Sequence, residues 1–196
     1  AAEVAIYGAA SRIALLAGTP LTIANAALAP AIAELHSRGQ RERLERVVRA
    51  AATFAALPSL ALVLVLALFG DRLLALLFTD AYRAGYPVLL CLAFGQWLHV
   101  GFGSCALSLA MTGHQQDVMI VSMLTAAAAI LAFYLVAAPY GALGVALVVV
   151  TSLGLYNLVL TLLARKRLGI RTWMTLSVGA FGRYARELRR GVGVSS

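Results

Sequence analysis

The first part of the chain is an apolar segment that is long and almost free of charge. From Val4 to Ala33 the only charged residue is Arg12. About 20 predominantly apolar residues cross the hydrocarbon layer of a bilayer as a helix, so this segment predicts a membrane span. Five arginines follow directly, at positions 38, 41, 43, 46 and 49. Because cytoplasmic loops are enriched in basic residues, the cluster predicts that the first span ends in the cytoplasm.

The same pattern repeats along the chain and predicts an all-α fold, a polytopic transmembrane helix bundle of about five spans. The predicted spans are 4–33, 50–69, 86–111, 118–138 and 142–164. A basic cytoplasmic connector at 34–49 joins the first two spans, so residues 1–164 form the bundle and 165–196 form a basic cytoplasmic tail. Pro20 and Pro58 lie inside predicted spans, and each predicts a kink because proline is the commonest cause of one.

Composition supports a membrane protein and argues against nucleic acid as a partner. The chain is 62% hydrophobic and 12% charged, against about 45–50% and about 25% in soluble domains. The net charge of +8 resides mainly in two clusters, at 38–49 and 165–190, which flank apolar spans. Four predicted spans separate the clusters, so both lie on the same side of the membrane. Basic clusters in these places indicate topology and contact with anionic lipid headgroups.

The tail has the pattern of an amphipathic helix that lies on the cytoplasmic membrane surface. One arc contains the apolar residues Trp173, Leu176, Ala180, Phe181, Tyr184 and Leu188. The opposite arc contains the arginines at 183, 186, 189 and 190. A helix with these two faces is typical of a segment that anchors to a bilayer without crossing it.

The sequence offers no chemistry that would make an enzyme, a metal site or a cofactor site. Cys91 and Cys105 fall in one predicted span, about 21 Å apart at the helical rise, so they cannot form a disulfide with each other and are interpreted as packing residues. No metal-type Cys/His spacing, glycine-rich nucleotide loop or nucleophile elbow occurs. No Asp or Glu lies well inside a predicted span.

Candidate binding residues come from polar side chains inside the spans. Small and polar residues share one arc of the first span: Gly8, Ser11, Arg12, Gly18, Thr19, Thr22, Asn25 and Ala29. Such an arc is typical either of close helix packing, since small residues let backbones approach, or of a wall of an aqueous cavity. Both interpretations stay open for Ser11, Thr19 and Thr22.

Arg12 and His99 each have two interpretations as well. A guanidinium inside a span costs at least about 2.5–3.5 kcal/mol on insertion scales. Arg12 either offsets that cost by binding phosphate oxygens, which its planar fork fits, or extends to the outer headgroups. In the third span Gln96 and His99 share a face. His99 either relays protons or forms a structural hydrogen bond between helices.

Five short motifs, in order, resemble one known family. The run Tyr7–Arg12 and the basic run Glu34–Gln40 are similar to the eighth span and the following loop of polysaccharide-biosynthesis flippases. Phe78–Tyr82 resembles their outer loop, with the usual glycine replaced. Leu107–Gly113 resembles the end of their tenth span, and Pro139–Ala146 resembles the turn into their last pair of helices. The chain is thus similar to the C-terminal part of a transporter of the multidrug/oligosaccharidyl-lipid/polysaccharide exporter superfamily.

The resemblance implies a two-lobe transporter of which these spans form most of one lobe, with the N-terminal lobe missing from this sequence. It implies a multi-pass protein of the bacterial inner membrane, with its C-terminus in the cytoplasm. It would translocate an undecaprenyl-pyrophosphate-linked oligosaccharide for surface polysaccharide biosynthesis by alternating access. Membrane lipids, the missing lobe and a polysaccharide polymerase complex are the implied partners.

The resemblance also implies roles for the candidate residues. Arg12 would meet the pyrophosphate, with Ser11 and Thr22 in the cavity wall beside it. Asn25, Gln96 and His99 would face sugar hydroxyls.

Two other functions remain alternatives at this point. One is a multidrug or cation antiporter of the same superfamily, which would need a buried carboxylate from the missing part. The other is a non-transporting membrane scaffold of a polysaccharide assembly complex, in which Arg12 would be an interfacial anchor.

Overall fold

The structure, a computed structural model, describes residues 2–174, without the side chains of Ala2, Ala137 and Ala138. Its α-helices are α1 Ala2–Leu15, α2 Thr19–Ser37, α3 Arg41–Leu77, α4 Tyr86–Phe102, α5 Cys105–Met111 and α6 Gln115–Leu168. Two 3-10 turns, Leu16–Gly18 and Asp80–Gly85, connect α1 to α2 and precede α4. No β-strand occurs in this part of the chain.

Five helical stretches are long and apolar enough to cross a membrane. They are Glu3–Ser37, Arg41–Leu77, Asp80–Phe102, Gln115–Val136 and Pro139–Leu168. The predicted all-α bundle with five spans is therefore confirmed.

The first span is interrupted where Pro20 predicted a kink. The helix tightens into the 3-10 turn Leu16–Gly18 and restarts as α2, with Pro20 in its first turn. Proline is tolerated in a first turn because its missing N–H would have no partner in the helix there. Gly18 at this junction lies against α4, where a Cβ would stand 2.7 Å from Oε1 of Gln96.

Helix α3 extends beyond the predicted second span, 50–69, at both ends. It includes most of the predicted connector and continues through the residues predicted as a polar loop. At its start Leu44 and Val48 are buried in the core, and Arg49 pairs with Glu45 at 3.2 Å. Buried apolar residues at helical spacing and i,i+4 ion pairs both favour a continuous helix. Only the short turn around Gly39, with φ 67°, separates α2 from α3.

The predicted third span, 86–111, is divided into α4 and α5 at Gly103, where φ is 73°. A Cβ at Gly103 would overlap the carbonyl oxygen of Thr172 and lie 2.8 Å from the Cβ of Ala52. Glycine is therefore required both for the backbone conformation and for the close approach of two other segments. As a result Cys91 and Cys105 lie on different helices, not on one as predicted, and both are free thiols.

Helix α6 consists of two membrane-spanning arms, Gln115–Val136 and Pro139–Leu168. The bend between them is at Gly141, with φ 54° and ψ −143°. Pro139 was predicted to end the fourth span. The bend lies two residues later, at Gly141, which adopts the non-helical conformation. In the first arm only 6% of the most apolar window is buried within the chain.

After α6 the chain turns back into the bundle. The tail at 165–196 was predicted to lie on the membrane surface, so this turn was not predicted. Gly169, with φ 68°, ends the helix. Ile170 and Thr172 are buried, and the backbone N–H of Met174 donates a hydrogen bond of 2.9 Å to the carbonyl of Gly101. We call residues 169–174 the return segment. Most of the predicted amphipathic tail, from Thr175 onward, lies outside the described residues.

The interior contains two large apolar clusters at different levels of the bundle. One is built around Ala10, Leu66, Leu89 and Ala146, and the other around Ile32, Leu44, Leu109, Leu160 and Ile170. Along α2, α4 and α6 the polar residues Asn25, His99 and Asn157 fall between the residues of the two clusters. The two large clusters are thus separated by a middle layer, which we call the polar layer, where these polar residues lie beside a small apolar cluster of Leu21, Ala55, Ala56 and Val100.

Candidate functional site

The centre of the polar layer is a hydrogen bond between α4 and the second arm of α6. His99 Nδ1 lies 3.0 Å from Oδ1 of Asn157, and Nδ2 of Asn157 donates to the carbonyl of Leu153 at 2.7 Å. Because the amide nitrogen is used on the backbone, the oxygen faces the imidazole, and the bond requires the proton on Nδ1. The thiol of Cys105 lies 3.7 Å from the same oxygen. Asn157 is 1% exposed.

A second polar contact joins α2 to the turn that separates α4 from α5. The hydroxyl of Ser104 donates a short hydrogen bond to Oδ1 of Asn25. Gln96 lies one helical turn from His99, and its side-chain oxygen lies close to Gly18. Together these contacts tie the two interrupted spans, α1–α2 and α4–α5, to each other at their interruptions. Hydrogen bonds of this kind between membrane helices contribute about 0.6 kcal/mol on average.

Arg12 and Thr22 belong to a different surface, because both side chains are exposed. Thr22 donates to the carbonyl of Gly18 at 3.5 Å. Ser11 is half-buried and donates to the carbonyl of Gly8 at 3.0 Å. Within residues 2–174 no hydrogen bond or ion pair to the Arg12 guanidinium is found. The side chain therefore extends from an apolar helix without compensation from this part of the protein.

The six candidate residues thus fall into two groups. Asn25, Gln96 and His99 lie together in the polar layer, while Arg12 and Thr22 lie on the exposed side of the first span, with Ser11 at its edge. A role for either group in lining a transport cavity stays a prediction. Asn157 cannot be recognised from the sequence as the partner of His99, because the two residues are 58 positions apart.

The acidic residues of the described part all lie at the ends of helices or in turns. They are Glu3, Glu34, Glu42, Glu45, Asp71, Asp80 and Asp117. Each is within two turns of a helix end or in the 3-10 turn Asp80–Gly85. Among residues 2–174 no group of three or more His, Cys, Asp or Glu could hold a metal ion. The polar groups of this layer are therefore amide, hydroxyl, thiol and imidazole groups, and no carboxylate of the described residues is among them.

Comparison with known families identifies the chain at the level of a family. The MatE family model matches residues 1–135, more than half of the 196 residues. No curated protein and no solved structure matches the chain. Members of the matched family are transporters rather than enzymes. The match confirms the predicted superfamily, while the polysaccharide flippase subfamily stays a prediction. This chain belongs to the MatE family and is a multi-pass membrane transporter of the multidrug/oligosaccharidyl-lipid/polysaccharide exporter superfamily.

Proposed function

We propose that the chain is part of a flippase that moves an undecaprenyl-pyrophosphate-linked oligosaccharide across the bacterial inner membrane. The bundle would form most of one lobe, and rocking against a second lobe would expose a shared cavity to each side in turn. The C-terminus would lie in the cytoplasm, next to the enzymes that assemble the oligosaccharide, and a polysaccharide polymerase complex would take the product on the other side.

The position of Arg12, an exposed arginine in an apolar span, supports an anionic substrate. It is the only charged residue between Val4 and Ala33, its side chain is exposed, and no carboxylate within residues 2–174 pairs with it. An uncompensated guanidinium at membrane depth costs several kcal/mol. A pyrophosphate offsets that cost well because the planar fork of arginine binds two phosphate oxygens at once.

The other five candidate residues are uncharged polar or imidazole side chains, which would contact the sugars and not the pyrophosphate. Ser11 is next to Arg12, Thr22 lies ten residues further along the first span, and both would supply hydroxyls to the cavity wall. Asn25 and His99 are hydrogen-bonded inside the lobe, so their proposed contacts with sugar hydroxyls require these partners to be exchanged when the cavity opens. Gln96 packs against Gly18, so its side chain would move together with the junction between α1 and α2 when the cavity opens.

A multidrug or cation antiporter is the second candidate, and the MatE match favours it as much as it favours a flippase. A cationic substrate or a coupling cation would need a carboxylate at membrane depth. Acidic residues in the described helices lie only near helix ends, so such a group would have to come from another part of the protein. A membrane scaffold without transport is the third candidate, in which Arg12 serves only as an interfacial anchor.

The test is export of surface polysaccharide in a flippase-deleted bacterium that carries the full-length gene. Arg12→Ala and Arg12→Lys are compared with wild type and with Arg72→Ala, a control that removes an exposed arginine near the end of α3. All are compared at equal protein levels in the membrane. We expect Arg12→Ala to abolish export and to leave lipid-linked intermediate on the cytoplasmic side, Arg12→Lys to retain part of the activity, and Arg72→Ala to export normally.

Each other result points to one of the alternatives. If both Arg12 variants export like wild type, the pyrophosphate role of Arg12 is refuted. If wild type restores no glycan export but lowers the accumulation of cationic drugs, the protein is an antiporter. If removal of Arg12 lowers only the amount of folded protein, and export per molecule is unchanged, the residue is an anchor.

A further inference from the structure

The two arms of α6 flank an apolar cavity that is open to the outside of the bundle and that the proposed transport cycle does not use. The cavity has a volume of about 190 Å³ and is lined by Val121, Leu124, Thr125, Ala128, Leu155 and Val159. The single hydroxyl in this lining, on Thr125, donates to the carbonyl of Val121 at 2.7 Å. Its hydrogen-bonding capacity is therefore used within its own helix. A cavity of this chemistry offers nothing to water and is suited to a hydrocarbon chain.

One end of the cavity points to a charged opening between the same two arms. Arg167 Nε lies 3.1 Å from Oδ2 of Asp117, an ion pair that spans the two arms. Asp117 precedes Val121 by four residues, and Leu124 by seven, so it lies on the cavity-facing side of the first arm at 100° per residue. The ion pair therefore stands across the mouth of the cavity.

Lys166 has the same relation to the cavity on the second arm. It follows Val159 by seven residues and Leu155 by eleven, spacings that return to within about 20° of the same face of a helix. At 1.5 Å per residue Lys166 is about 10 Å beyond Val159 along the helix axis. Its side chain is exposed, and Arg165 and Arg167 flank it in sequence.

We propose that this cavity and its mouth form a binding site for an anionic phospholipid of the leaflet next to the basic end of the bundle. One acyl chain lies between the arms against Leu124, Ala128 and Leu155. The phosphate lies at the mouth, where Lys166 supplies a positive charge that Asp117 does not neutralise, since Asp117 is paired with Arg167. The spacing of about 10 Å between charge and cavity fits the distance from a headgroup to the upper part of its acyl chain.

The weak packing of the first arm indicates what such a lipid would do. Only 6% of its most apolar window is buried, and it is held to the second arm by the bend at Gly141 at one end and by the Arg167–Asp117 pair at the other. An acyl chain between the arms fills the space that neither arm fills. The bound lipid would therefore stabilise the hairpin as a unit.

The test is the thermal unfolding of the purified full-length protein in detergent, titrated with phosphatidylglycerol or with phosphatidylcholine. A ligand that binds the folded state raises the unfolding temperature by an amount that depends on its affinity. Ala128→Trp fills the cavity. Ala127→Trp adds the same ring at the same depth on an exposed residue that does not line it. Lys166→Gln removes the aligned charge, and Arg165→Gln removes a neighbouring charge that points about 80° or more away.

We expect phosphatidylglycerol to stabilise the wild type at lower concentrations than phosphatidylcholine does. Ala128→Trp should raise the half-saturating phosphatidylglycerol concentration at least about tenfold, and Ala127→Trp should leave it unchanged. Lys166→Gln should raise it about fivefold, the loss that corresponds to one basic side chain at an anionic surface, and Arg165→Gln should change it less.

The proposal is overturned if Ala128→Trp and Ala127→Trp bind lipid alike, because the lipid then surrounds the helices without entering the cavity. It is also overturned if both lipids stabilise every variant equally, since the mouth would then not recognise charge. An Ala128→Trp variant that is more stable than wild type without lipid, and no longer responds to lipid, supports the proposal, because the ring then replaces the acyl chain.

Discussion

Gly103 lies where three segments of the chain meet, and its replacement by alanine should be among the most damaging small changes in the bundle. Two effects add at this position. The backbone has φ 73° and ψ −157°, a conformation that is essentially restricted to glycine, and a residue with a Cβ there costs about 1–3 kcal/mol. The added methyl group would also overlap the carbonyl of Thr172 and crowd Ala52, and overpacking of a closed interior typically costs about 1–3 kcal/mol. Gly103→Ala should thus lower the free energy of unfolding by about 2–6 kcal/mol.

Two other glycines separate the contributions. Gly113 also has a positive φ, 85°, but no atom lies within 4 Å of its Cβ position, so Gly113→Ala should show the backbone term alone, about 1–2 kcal/mol. Gly154 lies inside a helix with no neighbour within 4 Å. Gly154→Ala should therefore be neutral or stabilise by up to about 1 kcal/mol, since alanine has the higher helix propensity.

The assay is reversible unfolding of the purified protein in mixed micelles, with helix content and Trp fluorescence followed in parallel. The expected order of stability is Gly154→Ala, wild type, Gly113→Ala and Gly103→Ala, from highest to lowest. If Gly103→Ala costs no more than Gly113→Ala, the return segment does not pack against the break between α4 and α5, and the reasoning fails.

Two further predictions concern contacts between helices. Asn157→Ala should lower the free energy of unfolding by about 1–2 kcal/mol, because it leaves the Nδ1 proton of His99 buried without a partner. In a double-mutant cycle with His99→Leu, the two losses of stability should be less than additive. Additive losses would show that the hydrogen bond is absent. Arg167→Ala should cost no more than about 1 kcal/mol because its ion pair with Asp117 is partly exposed. Added salt should reduce that loss, so a larger loss that does not depend on salt would mean that Arg167 has a structural role beyond this pair.

Hydropathy was enough to predict five spans because each is a continuous apolar stretch, whatever its neighbours are. It was not enough to predict the ends of α3, since the segment with Leu44 and Val48 reads as an amphipathic surface helix until the helices that cover it are known. Pro20 was predicted to cause a kink and lies next to an interruption of the first span, whereas α3 continues through Pro58, so a proline alone does not decide where a span is interrupted. The interruption at Gly103 depends on Thr172, which approaches from a distant part of the sequence, so no local signal reveals it.

The polar layer shows the same limit for the candidate site. Side-chain type alone singled out Asn25, Gln96 and His99, because amides and imidazoles are rare in membrane spans. Their partners depend on which helices are adjacent and at which height, and that information is not contained in the pattern of a single helix. Arg12 differs from them, because its charge makes it conspicuous in the sequence, and the structure adds only that its side chain is exposed.

The return segment has a consequence for the order in which the protein is made. Synthesis proceeds towards the C-terminus, so the helices α3, α4 and α5 that meet at Gly103 are made before Ile170 and Thr172. Until then the carbonyl of Gly101 lacks its bond to the N–H of Met174, and the space beside Ala52 is open. The protein therefore passes through a stage in which the helices that meet at Gly103 are present but the space between them is still unsealed. At that stage a chaperone or an insertase would find an exposed backbone carbonyl that the finished protein conceals.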